Sequence, residues 1–243
     1  MIQDEYRNIF NNQDIHWWYR GMAAINQRLL NKYLPRKSNV RILDAGCGPG
    51  SAMIYLSKFG KVTGVDISEH ALKYAKKRGS VKKGDILNLP FKNASFDIVV
   101  CLDVLYHIWV VDKKKAISEF HRVLKKDGIL LLREPAYEWM RSNEDIVGYT
   151  QFRFSKNKVK HILKGYFSFS KLTYANFFLF PLVFLKRLPQ IISLKDKEAV
   201  SDIFELPNPI NNIFLFILKL ESFLLFHISF PFGTSVVCVA KKK

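Results

Sequence analysis

Short apolar runs of the β type alternate, through the first half of the chain, with stretches whose apolar residues recur at helical spacing. VRIL (40–43), KVTGV (61–65), FDIVVCL (96–102) and GILLL (128–132) read as strands, being rich in branched apolar residues and bounded by turn sequences. Between them, 112–124 places Ala116, Ile117, Phe120, Val123 and Leu124 on one helical face. The punctuation is short: LPRKSN (34–39), LPFKNAS (89–95) and KKDG (125–128), with no repeat or low-complexity linker. Strands alternating with helices predict an α/β fold, a doubly wound and mostly parallel sheet with helices on both faces.

The pattern changes late in the chain. Residues 173–232 read as a mostly helical insertion broken by Pro181, Pro189, Pro207, Pro209 and Pro231, and thirteen of the twenty phenylalanines fall between 166 and 232. TSVVCVAKK (234–242) then reads as a final core strand. The expected organisation is an N-terminal helical lid (1–38), a ligand-binding core (39–172), the insertion (173–232) and the last strand with a basic tail (233–243). Two stretches, 174–185 and 213–232, are strongly apolar; the first is too short to span a bilayer and the second carries Lys219 and Glu221, so neither reads as a transmembrane helix. So apolar a segment must cover something: the core, a substrate, a bilayer surface or a second copy in a homodimer.

Composition narrows this picture only in part. A chain of 243 residues, 49% of them apolar, can bury a sizeable core. Cys47, Cys101 and Cys238 stand at unrelated spacings, which predicts neither a disulfide framework nor a metal site. The first residues, MIQDEYRNIF, carry acids and no apolar signal region, so a cytoplasmic protein is expected, with membrane association left open. The formal charge of +17 comes from lysines spread through KYAKKR (73–78), DKKKA (112–116), KNKVK (156–160) and the terminal KKK. A solvated surface, an anionic membrane or a phosphorylated substrate all fit it. Nucleic acid fits less well, because no basic segment is interleaved with stacking aromatics.

The candidate chemistry begins at RILDAGCGPGSA (41–52), where a strand ends in Asp44 and releases Gly46, Gly48 and Gly50. In a doubly wound sheet ligands sit beyond the carboxyl ends of the strands, and bare backbone after the first strand permits close approach. A dinucleotide fingerprint would place Gly or Ala where Ser51 stands, and Asp44 would oppose a pyrophosphate. A ligand with a cationic end suits the site better. Asp66, at the end of the second strand, can accept ribose hydroxyls, and Asp85 in GDILNLPF can read an adenine amino group.

On these residues, with FDIVVCLDVLYHI (96–108) and LKKDGILLLREP (124–135), the chain resembles the class I S-adenosylmethionine-dependent methyltransferases over 40–133. The resemblance implies S-adenosylmethionine as cofactor. It implies a Rossmann-like, mostly parallel seven-stranded sheet with an antiparallel last strand, Asp44 near the methionyl amino group, Gly46, Gly48 and Gly50 beneath the cofactor, Asp66 at the ribose, Asp85 with Ile86 at the adenine, and Ile67 among the cofactor contacts. Asp103 is expected to line the same pocket. HWWYRGM (16–22), REPAYEWMRS (133–142), LTYANFFLFP (172–181) and PFGTSVVCVAKK (231–242) are similar to a bacterial branch often encoded beside glycosyltransferase and cell-surface polysaccharide genes. The chain departs from that branch in NEDIVGYTQFRF (143–154), keeping Asp145 and Arg153.

Methyl transfer is an in-line displacement in which the protein positions the acceptor, excludes water and, for a hydroxyl, takes a proton. His107 and Glu134 are the candidate bases, with loop support and a surface ion pair as their respective alternatives. His16, Trp17, Trp18, Tyr19 and Arg20 could close over the cofactor, Arg20 pairing with its carboxylate. His227, among Phe and Leu, is expected in the core. No metal is expected. The resulting expectation is methyl transfer to a small-molecule or lipid-linked hydroxyl or amine, a sugar among the candidates. RNA methyl transfer and a non-catalytic, cofactor-binding partner subunit stand as alternatives.

Overall fold

The computed structural model describes residues 3–34, 38–192, 201, 203 and 206–243; positions 35–37 of the LPRKSN turn and parts of the 193–205 stretch of the insertion lie outside the described residues. The strands are β1 (Arg41–Ala45), β2 (Lys61–Asp66), β3 (Ser80–Lys83), β4 (Phe96–Leu102), β5 (Leu124–Pro135), β6 (Phe167–Ala175) and β7 (Ser235–Lys242). They form one sheet of order β3-β2-β1-β4-β5-β7-β6. β1 to β5 are parallel, and β7 runs antiparallel to both β5 and β6.

Around the sheet stand α1 (Gln3–Asn12), α2 (Trp17–Tyr33), α3 (Met53–Leu56), α4 (Glu69–Ala75), α5 (Lys113–Val123), α6 (Glu144–Val147), α7 (Lys156–Leu163), α8 (Phe180–Ile192) and α9 (Asn208–His227), with a 3₁₀ turn at Glu138–Met140. The central strands are apolar throughout because each of their faces is covered. Successive residues alternate between two cores. Leu43, Val99 and Leu130 pack with Phe120 of α5 on one side, and Ile42, Ile98 and Leu131 with Met22, Ile25 and Leu29 of α2 on the other. Local caps fix the helix starts: Ser68, Asp112 and Ser155 accept the N–H groups of Ala71, Lys115 and Lys158.

Three expectations need adjustment. The boundary drawn at 172/173 falls inside β6, a strand absent from the apolar runs above. Its alternation is broken where Ser168, Phe169 and Ser170 all face outward and the register shifts between Phe169 and Lys171. His227 is exposed at the end of α9, because Leu218, Ser222 and Leu225 occupy the buried face and leave it on the other side. By length and composition, α9 is a helix that could cross a membrane, with mean hydropathy 1.5 and 33% of its most apolar window buried. Its one acid is internal: Glu221 accepts the N–H groups of Asn176 at 2.5 Å, Phe177 at 2.8 Å and Phe178 at 3.2 Å, and burial raises its pKa to about 7. That carboxylate ties α9 to the end of β6, while α9 packs along α2, Trp17 meeting Phe214 edge-on at 5.2 Å.

Candidate active site

The carboxyl ends of β1, β2, β3 and β4 open into one cavity of about 1010 Å³, roofed by α1 and α2 and bordered by α8 and α9. Asp44, 2% exposed, stands at its base with Oδ2 buried and without a hydrogen-bond partner. Burial, then the charge of Asp66, raises its carboxyl to about 7, with Arg133 acting in the opposite direction.

Asp66 organises the glycine loop. Its Oδ2 accepts the Gly48 N–H and its Oδ1 the Ser68 N–H, each at 2.8 Å. Burial raises its pKa while those N–H groups oppose the rise. Gly46 has φ +79°, and a Cβ there would lie 2.5 Å from Cγ2 of Val104; at Gly48, φ +53°, a Cβ would meet no atom within 4 Å and would point into open space. Asp85 accepts the Leu87 N–H at 2.8 Å and lines the cavity with Ile67 and the buried Ile86. Gly50 belongs to the same loop but not to the cavity lining. Cys47 lines it too, its thiol pushed up by burial and then by Asp44, which fits a packing role rather than a nucleophile.

Asp103 follows β4 with φ +57°. Its carboxylate forms an ion pair with Arg133 of β5, through Nη2 and through Nε at 3.1 Å, and the guanidinium sits 4.9 Å from the centre of the Trp18 ring. Arg133 thereby joins the floor of the cavity to the roof. Sequence reading missed it, although an arginine closing the buried run ILLL needs a partner and is a signal in itself. Arg20 is exposed and lines the cavity.

The two candidate bases part company. Glu134 is fully buried and does not line the cavity; its carboxylate accepts the N–H groups of Leu105 at 2.9 Å, Tyr106 at 3.2 Å and Val104 at 3.4 Å, so it shapes the loop after β4 from behind. His107 does line it, stacked on Trp109 with ring centres 4.4 Å apart. Its Nδ1 lies 2.5 Å from the Gly148 carbonyl, which makes Nδ1 the protonated nitrogen and leaves Nε2 as acceptor. Burial lowers its pKa to about 3, so the ring is neutral at physiological pH.

Four more groups were not assigned as site residues from sequence. Tyr19 and Tyr106 line the cavity, their phenols held well above the usual range by burial first and then by Glu144 and Asp103 among other charges. Asp145 and Arg153 line it as a buried, two-pronged ion pair, Nε to Oδ1 at 2.9 Å and Nη2 to Oδ2 at 2.8 Å. Among the described residues no cluster suited to a metal ion occurs.

Residues 43–132 match the methyltransferase domain family model. Over these residues the chain is similar to the domain of S-adenosylmethionine-dependent methyltransferases. A protein of Mycolicibacterium smegmatis named a probable S-adenosylmethionine-dependent methyltransferase is 31% identical over 124 residues, covering 49% of this chain and 46% of its own. The malonyl-[acyl-carrier protein] O-methyltransferase of Hamiltonella defensa is 32% identical over 142 residues, covering 52% and 54%. The chain thus spans about half the length of each relative. The fold extends further: a SAM-dependent methyltransferase structure from Thermotoga maritima superposes with TM-score 0.60 at 21% identity, covering 99% of this chain and 96% of that one. Phosphoethanolamine N-methyltransferase 2 of Haemonchus contortus, in complex with S-adenosylmethionine, gives 0.57 at 23%, covering 89% and 52%.

The residues in and around the stretch that matches the family model fit S-adenosylmethionine. The orphaned Asp44 Oδ2 asks for a donor, which a methionyl ammonium would provide, and the open space at Gly48 would admit a ligand against bare backbone. Asp66, Ile67, Asp85 and Ile86 line the same cavity.

Proposed function

We propose that this protein transfers a methyl group from S-adenosylmethionine to a hydroxyl or amine of a small or lipid-linked acceptor, sugars included. One observation supports this most: a single cavity joins the acids of the methyltransferase domain to a second wall built from Tyr19, Tyr106, His107, Glu144 and the α8 side chains Leu182 and Val183. At about 1010 Å³ it lies at the upper end of the ~300–1,000 Å³ of ordinary ligand pockets, which suits a cofactor and an acceptor side by side. The two relatives named for O- and N-methyl transfer support leaving the acceptor atom as either.

When bound, the cofactor supplies an electrophilic methyl group on a sulfonium. The protein's part is positioning and water exclusion. Asp44, Asp66 and Asp85 would hold the cofactor, and α2 closes over it. His107 offers Nε2 to an acceptor O–H or N–H, but with a pKa of about 3 it cannot retain a proton at neutral pH. The neutral Tyr19 and Tyr106 hydroxyls can donate to an acceptor oxygen. With so weak a base at hand, this favours an acceptor that enters with its lone pair already free, such as an amine bound in its unprotonated form.

Incubation with methyl-labelled S-adenosylmethionine and an extract of the source cells tests the reading. Label in the organic or aqueous small-molecule fraction supports it; label confined to RNA, or no transfer despite cofactor binding, overturns it. Asp44 adds a pH dependence. Its deprotonated form attracts the cofactor ammonium, so affinity measured calorimetrically is expected to rise about tenfold per pH unit below 7 and to level off above it. Asp44→Asn should flatten that slope.

A further inference from the structure

The exposed side of α9 carries Ile213, Phe216, Leu220 and Phe223, three, four and three residues apart, which sets them in one stripe along the helix. They are 56%, 67%, 48% and 51% exposed, a contiguous arrangement rather than scattered surface apolar residues. The opposite face, with Leu215, Leu218, Ser222 and Leu225, is the buried one.

Cations border the stripe. The Arg28 guanidinium lies 5.7 Å from the centre of the Phe223 ring, and Lys32 Nζ lies 4.6 Å from that of Phe226. Both are exposed. Together α2, α8 and α9 hold Arg20, Arg28, Lys32, Lys186, Arg187 and Lys219 against one acid, Glu221, which is buried and engaged with backbone N–H groups.

We propose that this face of α9 docks on the surface of an anionic lipid bilayer. A second copy seated on the stripe would bring Arg28 and Lys32 close to their own counterparts, and the whole chain, at +17, repels its like. An anionic leaflet instead neutralises these cations while Phe216, Leu220 and Phe223 enter the headgroup region and the long basic side chains reach back to the phosphates. Lys219 both adjoins the stripe and lines the cavity, so docking places the cavity mouth beside the bilayer. The inference does not rest on methyl transfer, and its test reads binding alone.

Flotation of the whole protein with phosphatidylcholine vesicles containing about one third phosphatidylglycerol is the test. Binding is expected at low salt and is expected to weaken at high salt. Phe216→Ser with Phe223→Ser should lower partitioning at least about tenfold, and Arg28→Gln about fivefold, with circular dichroism melts unchanged. Should the double variant fail to fold, Arg28→Gln and the salt dependence decide. Absence of flotation at low salt, equal binding to pure phosphatidylcholine, or a sedimenting dimer that the double variant converts to monomer without loss of vesicle binding would each overturn the proposal.

Discussion

Asp66→Ala is expected to weaken S-adenosylmethionine binding by about a hundredfold or more while leaving the protein folded. The carboxylate spans two backbone segments, accepting from Gly48 in the glycine loop and from Ser68 at the start of α4. Charge-assisted hydrogen bonds contribute roughly 1.5–3 kcal/mol each, so losing the loop's anchor alone amounts to a factor of about ten to a hundred. Under the proposed function, a contact of this acid with the cofactor ribose would add to that. Asp66→Asn keeps one acceptor oxygen and should lose distinctly less. Calorimetric titration of both variants, with circular dichroism to confirm folding, checks the ordering; equal affinities for wild type and Asp66→Ala would remove Asp66 from the cofactor site.

The acids were legible because their positions follow from topology. Each of Asp44, Asp66, Asp85 and Asp103 stands at or just beyond the carboxyl end of a strand, and in a doubly wound sheet all such ends face one crevice. The apolar runs marked β1, β2 and β4, FDIVVCL matching β4 residue for residue, whereas β3 before Asp85 is the polar, mostly exposed SVKK and carries no such signal. What the sequence could not assign are partnerships between distant segments. Arg133 meets Asp103 and Trp18, and Glu134 holds three N–H groups from the loop after β4, roughly 30 positions earlier in the chain. Neighbours in sequence, these two residues point to opposite sides of β5, one into the cavity and one away from it. Period-two alternation implies that they differ, but not which of the two faces the ligand. Glu221 is a similar case: mid-helix among Phe and Leu it argues against a span, and only the fold shows that it caps the residues after β6.

The Asp145–Arg153 pair is the other place where a single substitution should have a large effect, this time on stability. Arg153 is 4% exposed and Asp145 7%, and among the described residues the guanidinium adds to its two bonds with the carboxylate one to the Ala136 carbonyl, at 3.3 Å. Asp145→Ala leaves that charge buried without a counter-ion, for which a cost of about 3–5 kcal/mol is typical. A double variant, Asp145→Leu with Arg153→Met, removes both charges and should recover much of the loss.

The pH dependence distinguishes the ion pair from simple packing. Burial alone would raise the Asp145 carboxyl, but Arg153 and the Ser142 N–H bring it below its ordinary 3.8. A carboxylate depressed in the folded state contributes stability that is fully present above the unfolded-state pKa and is lost as pH falls through the folded-state value. The gap between wild type and Asp145→Ala in urea unfolding should therefore be widest at neutral pH and shrink below about pH 4. A gap that stayed constant down to pH 2 would assign the cost to lost packing. Because both residues line the cavity, as His107 and Glu144 do, a shrinking gap would also mean that one charge pair stabilises this part of the cavity wall.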